Sequence, residues 1–261
     1  MPEPRAAAPN GPLLLLSPHL DDVALSCAAL LERAEPLTIY DVFTQRPEPE
    51  QFTELDKRCG FEGSNEAMDA RWAEENQAFD GSPHAVAAVD LLDEQYRDGP
   101  RDDRDTLRLE RALDSWLAGI DGPVTVAMPV GAGAPRGVSI SLATRWKARR
   151  AGTFALNNSA DHFFVRDTAI SHLRDADDVT FLLYEEYPYL YAMGGSRVVP
   201  MIETWVGRRA VGYELAVDPV AKARRVAAYT SQLDMLFRSH SVGALGRALP
   251  RTERYWELGP T

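Results

Sequence analysis

Only two of the 261 residues are cysteine, Cys27 and Cys59, too few for a disulfide framework. Both are expected to be reduced thiols, which points to a cytoplasmic protein. No apolar run approaches the ~18 residues of a membrane span; runs such as Leu13–Leu16 are of strand length. No membrane partner is therefore expected. An excess of basic residues is missing too. With 28 Lys and Arg against 39 Asp and Glu, the formal charge is −11. No nucleic-acid partner is expected, since such proteins usually carry a basic patch or stripe. The densest basic stretch, Arg145–Arg150 (RWKARR), reads as an exposed helix face or loop, or as a local anchor for an acidic substrate group. Residues 1–12 (MPEPRAAAPNGP) contain one arginine and no apolar core of a leader peptide. They read as a disordered lead-in rather than a signal sequence.

The 45% hydrophobic and 26% charged residues fit a globular chain, taken as one domain over 13–261. Leu13–Ser17 is an apolar run between prolines, as in a buried parallel strand. A helix is expected from Val23 through residue 34. Further strands are expected at Leu37–Phe43, Val86–Leu91, Val124–Met128 and Val179–Tyr184. Helical spacing marks Asn65–Phe79, Asp105–Leu117, Asp161–Arg174 and Pro219–Phe237. Residues 196–217 alternate apolar runs and suggest a small antiparallel extension. The early β–α alternation implies an α/β fold with a mostly parallel sheet and helices on both faces. In such sheets, ligand sites lie beyond the carboxyl ends of the strands.

SPHLDD, Ser17–Asp22, stands at such an end, between a strand and a helix. His19 and Asp22, three apart at this junction, can converge on one point. An imidazole and a carboxylate suit zinc or a similar divalent ion. Asp21 between them can stay unligated and activate a water. Alternatively, the aspartates simply cap the helix. A third ligand must come from elsewhere. His162 opens a helix after the fourth strand, on the same edge of the sheet. His172 lies within that helix, His84 precedes the third strand at the wrong edge, and His240 is not placed by this argument.

These segments resemble the PIG-L (LmbE-like) family of zinc-dependent N-acetylglucosaminyl deacetylases. The resemblance rests on LLLLSPHLDDVALSCAALL, FTQRPEP, RWAEE, VDLLDEQYR, DHFFVRD, FLLYEEYPY and KARRVAAYTSQ, in the family's order from about residue 13 to 235. It implies a Rossmann-like sheet and one Zn2+ per chain, other divalent metals being possible. His19, Asp22 and His162 would be its ligands and Asp21 the general base. Removal of an N-acetyl or other N-acyl group from an amino sugar or related glycoconjugate by metal-activated water follows. The partner is then a small N-acylated sugar; a homo-oligomer is possible. Arg71 resembles a family arginine that contacts substrate, though a salt bridge to Glu74 or Glu75 would also explain it. Asp93, after the third strand, either binds a sugar hydroxyl or caps a turn. Of Glu185 and Glu186, one is expected to reach the pocket. Tyr187, Tyr189, Lys222, Tyr229 and Gln232 read as structural.

One position departs from the family. Ser159 stands where the HxDH segment begins with a histidine that stabilises the oxyanion or protonates the leaving amine. Losing one oxyanion donor costs about 10²–10³ in rate. Asn157, Asn158 and His172 are the candidate replacements. The alternatives are an amidase or deacylase acting on another amide in secondary or thiol metabolism, or a catalytically impaired metal- or sugar-binding homologue. Residues 131–158 form a long insertion expected to cover or reshape the pocket mouth.

Overall fold

The computed structural model describes residues 9–33, 35–134, 139–150, 153, 156–157, 159–237 and 241–259. Its sheet has seven strands: β1 (Leu13–Ser17), β2 (Thr38–Asp41), β3 (Ala85–Ala88), β4 (Val124–Pro129), β5 (Val179–Tyr184), β6 (Ala210–Ala216) and β7 (Thr252–Leu258). Their order is β3-β2-β1-β4-β5-β7-β6. The first five are parallel. β7 runs antiparallel to both β5 and β6. The fold is thus α/β with a mostly parallel sheet, as expected.

Four consecutive leucines form β1 because both faces of the sheet are covered. Leu14 and Leu16 enter one core with Val126, Met128, Phe181 and Leu183. Leu13 and Leu15 enter the opposite core with Ala127, Leu182 and Tyr184. Helices α1 (Asp22–Ser26) and α2 (Ala28–Leu31) cover the second face through Val23, Leu30 and Leu31. Farther along, α3 (Glu54–Cys59) and α4 (Ser64–Ala78) precede β3, and α5 (Asp103–Leu117) precedes β4. After β4 come α6 (Leu142–Arg150) and α7 (Ala160–Leu173). Leu109 and Leu113 of α5 and Val165, Ala169 and Leu173 of α7 close the first face.

Three expectations need correction. The helix after β1 is two short helices, broken at Cys27 (φ −127°, ψ 25°). Residues 196–217 are not an antiparallel extension throughout. Gly195–Val206 is a helix, α8, and only β6 is extended. Val198, Val199, Ile202 and Val206 are buried at helical spacing, so the 3.6-residue period overrides β-branched content. Gly207, at φ 75°, ends the helix in the left-handed conformation. The helix expected over Pro219–Phe237 divides into α9 (Pro219–Val226) and α10 (Thr230–Leu236). Finally α11 (Val242–Ala248) leads to β7, a strand the sequence reading did not anticipate. Residues 1–8 of the expected lead-in lie outside the described residues.

The chain builds β1, β2 and β3 to one side and then returns to lay β4 and β5 on the other. The order therefore reverses between β1 and β4. The carboxyl ends there splay into a crevice, where such sheets bind ligands.

Candidate metal centre

The loop leaving β1 folds back on itself at that crevice. Asp22 Oδ2 accepts the His19 backbone N–H at 2.8 Å. The same oxygen lies 3.4 Å from His19 Nδ1 and 3.3 Å from His162 Nε2. His162 comes from the first turn of α7 and is fully buried. The structure thus brings His19, Asp22 and His162 together, with one ligand atom from each lying within 4.8 Å of the others.

Each imidazole has its other nitrogen held by a carboxylate. His19 Nε2 sits 3.2 Å from Asp161 Oδ2. Burial works against ionisation of Asp161, yet His19 and Arg101 hold its carboxyl down at about 2. An ionised Asp161 can only accept, so Nε2 donates and Nδ1 faces Asp22. His162 Nδ1 lies 3.3 Å from Glu186 Oε1, leaving its Nε2 buried with no hydrogen-bond partner. That nitrogen meets Asp22 Oδ2 only as a charge contact without hydrogen-bond geometry, and a cation beside Asp22 would engage both. Carboxylates behind metal-binding histidines fix tautomer and ring orientation in the same way. The donor set therefore fits a divalent ion.

These outer carboxylates are anchored in turn. Glu186, following β5, accepts the backbone N–H groups of Gly131 (2.8 Å) and Ala132 (3.0 Å). Asp161 pairs with Arg101 and accepts the Glu94 N–H at 3.0 Å. The Arg101 guanidinium lies 3.9 Å from the Phe43 ring centre and 5.0 Å from that of Phe164. Asp161 and Arg101 drew no attention in the sequence. His19, Asp93 and Asp161 form a second grouping of possible ligand atoms. There Asp161 is already engaged by Arg101 and Glu94, so it reads as a support for His19. Converting Glu186 to Gln is expected to weaken zinc binding about 10–100-fold. Calorimetric titration tests this, and unchanged affinity would remove Glu186 from the site.

Burial pulls both histidines down, but neighbouring carboxylates outweigh it. Asp93, Asp161 and Asp22 push His19 well above its ordinary value, and Asp22 and Glu186 raise His162. The pocket thus attracts positive charge, whether protons or a metal.

Asp21 occupies the N-cap position of α1 but makes no side-chain cap hydrogen bond, so the capping alternative fails for it. Burial and then the Asp22 charge raise its carboxyl to about 7, against the pull of Arg71 and the histidines. Its φ of 142° is strained for a side-chain-bearing residue. Such strain persists only where surrounding contacts enforce it.

His19 and Asp21 open into a cavity of about 350 Å³, also lined by Arg71, Asp93, Tyr189 and Leu156. Arg71 does not pair with Glu74 or Glu75. It turns to Leu20 O (3.5 Å) and Asp93 (3.9 Å). Asp93 caps a short turn by accepting the Gln95 N–H at 3.0 Å, and its other oxygen lies 3.6 Å from His19 Nε2. The turn cap expected for Asp93 is therefore present, and its other oxygen faces the site. Tyr189 and Gln232, read from sequence as structural, line the cavity, and Tyr189 meets His162 edge-on. Tyr187, Lys222 and Tyr229 are packing residues: Tyr187 stacks on Phe237, Lys222 pairs with Glu253 at 2.6 Å, and Tyr229 donates to Glu75.

The Ser159 hydroxyl serves the fold. It donates to Glu94 Oε2 at 2.9 Å and accepts the Asp161 N–H at 3.2 Å, capping α7. Of the replacements considered, Asn157 lines the cavity. His172 is instead engaged by Asp114 at the far end of α7. Asn158 and His240 lie outside the described residues. His84 bonds Leu31 O at 2.8 Å, away from the site. From the 131–158 insertion, Leu156 and Asn157 contribute one cavity wall.

Beneath the site, Glu75 accepts the Tyr229 hydroxyl at 2.7 Å. Burial raises its carboxyl to about 8. The folded chain therefore keeps a proton that the unfolded chain releases above about pH 4.5. Stability falls as pH rises from there toward 8. Glu75→Gln keeps the hydrogen bond and is expected to flatten this slope by about 1 kcal/mol per pH unit. Denaturant melts of the metal-free protein across that range test it, and an unchanged slope would refute it.

Fold and site together define a Rossmann-like α/β protein with a candidate metal centre at the switch point of its sheet. No family model and no curated protein matches the sequence. Solved structures do. The zinc-inhibited form of the teicoplanin deacetylase Orf2 superposes with a TM-score of 0.68 at 18% identity, over 96% of this chain and 99% of that one. The A40926 pseudoaglycone deacetylase Dbv21 gives 0.63 at 19%, over 95% and 97%. GalB, the 4-carboxy-2-hydroxymuconate hydratase of Pseudomonas putida KT2440, gives 0.53 at 14%, over 97% and 98%. At these identities the shared property is the fold.

Proposed function

We propose that this chain is a metal-dependent N-deacetylase of the PIG-L (LmbE-like) type. It removes an N-acetyl or other N-acyl group from an amino sugar or related glycoconjugate, with one zinc per chain held by His19, Asp22 and His162. The observation that carries this reading is the pair of imidazoles, each held by a carboxylate at one nitrogen and turned toward Asp22 Oδ2 with the other. Two similar structures named as deacetylases support deacetylation as the reaction. The hydratase shows that the fold alone does not select amide hydrolysis.

A divalent ion at this place supplies Lewis-acid polarisation of the amide carbonyl and an acidified water. Asp21, with its carboxyl near 7, is suited to take the proton of the attacking water and return it to the departing amine. Arg71 and Asp93 hold the sugar by hydrogen bonds. Burial of His162 and Asp22 keeps bulk water from their far side.

Ser159 favours a second reading, a homologue that binds metal and sugar without turnover, because its hydroxyl is engaged by Glu94. Amine release from a panel of N-acetylated sugars and glycopeptides, with zinc added, separates the two. Release that follows zinc loading supports the enzyme. Stoichiometric zinc with no release across the panel supports the second reading.

A further inference from the structure

Helix α6 carries an arrangement that the candidate site does not use. From Gly122 to Ala160 the sequence has no acidic residue, although the chain holds 39. Within that run α6 supplies Arg145, Lys147, Arg149 and Arg150. Only Ala148 of the helix is buried. On the opposite side, one turn apart, stand Leu142 at 85% and Trp146 at 60% exposure. Residues four apart lie on one helix face, so the two form a single outward ridge. Arg145 and Arg149 flank this ridge, and Arg150 lies 4.6 Å from the Trp146 ring centre. Among the described residues, no carboxylate pairs with Arg145, Arg149 or Arg150. Lys147 faces a separate cavity that also contains Glu185 and Glu214.

We propose that α6 is a docking helix for an anionic phospholipid surface. A leucine and a tryptophan on one face, bordered by arginines, is the composition of helices that lie in the headgroup region. The exposed large apolar side chains of this face are only Leu142 and Trp146, which suits insertion between headgroups better than an interface with another folded protein, whose core needs a broader apolar area. Charge selects the orientation. The chain as a whole carries −11, so an anionic surface repels most of the molecule and attracts this face. The absence of a spanning helix among the described residues leaves this contact possible, since docking needs no span. Leu156 and Asn157, a few residues beyond α6, line the candidate cavity, so docking brings the cavity mouth close to the bilayer surface.

Flotation of the full chain with vesicles tests the proposal. Phosphatidylglycerol-containing vesicles are expected to carry the protein, and pure phosphatidylcholine vesicles are not. Added salt should release it as the Debye length shortens. Trp146→Ala should reduce partitioning about tenfold. Arg145→Glu with Arg149→Glu should reduce it about 1,000-fold, at roughly 1 kcal/mol for each of the two positive charges removed and each of the two negative charges introduced. Both variants alter exposed side chains and should retain the parent's circular dichroism and zinc content. Brominated lipid should quench tryptophan emission in the parent and less so in Trp146→Ala. Failure to bind phosphatidylglycerol vesicles would overturn the proposal. Equal binding by parent and variants would do the same, as would tight binding to polyglutamate or DNA with none to vesicles.

Discussion

Asp22→Ala is expected to yield a protein that no longer retains metal through purification, whereas the parent is expected to retain about one zinc per chain. One oxygen of this carboxylate faces both imidazole nitrogens, at 3.4 and 3.3 Å. Without it, two histidines with ring centres 5.3 Å apart have no anion between them. Asp93 and Asp161 beside His19 and Glu186 beside His162 still favour a protonated ring, which competes with a cation for the site. Affinity should fall by more than the ~100-fold upper range seen for outer carboxylates, and deacetylation should go with it. His162→Ala should behave alike, since the orphaned Nε2 disappears. Metal analysis of the three purified proteins decides the matter. Full zinc stoichiometry in either variant would refute the ligand assignment.

Much of this site was legible because its residues sit at one strand–helix junction. His19, Asp21 and Asp22 are close in sequence, and a four-leucine strand places them at a sheet edge. His162 is distant in sequence but could be placed by topology, in the opening turn of α7, between β4 and β5. The supports were harder to see. Asp161 and Glu186 act through contacts that depend on side-chain direction. Arg101 reaches Asp161 from a loop whose course no periodicity describes, and aromatic rings contributed by β2's exit and α7 fix its plane. The misread elements share a cause. Val198 and Val199 carry high strand propensity, yet burial every three to four residues made α8 a helix. β7 pairs with both β5 and β6, long-range contacts that leave little trace in local sequence. The strain at Asp21 is invisible in sequence, because aspartate there gives no hint of a backbone that glycine would favour.

That strain shapes the other large prediction. Asp21→Asn keeps the size and polarity of the side chain but removes the proton acceptor. The turnover number is expected to fall about 10²–10⁴-fold, with zinc content unchanged because Asp21 is not among the proposed ligands. The pH profile provides a further readout. In the parent, activity should rise with pH as Asp21 loses its proton, and the metal's own charge should set that limb below the value of about 7 found without an ion. In Asp21→Asn the limb should vanish from the residual rate. Asp21→Gly separates strain from chemistry. Glycine accepts φ 142° without penalty and removes a buried carboxyl that burial and Asp22 disfavour. Its greater chain entropy offsets part of this, leaving a net gain of about 1–2 kcal/mol in the metal-free protein. A glycine variant that is more stable than the parent and inactive would show that the fold bears a cost to hold this carboxylate in place. Equal activity in parent and Asp21→Asn would exclude Asp21 as the base.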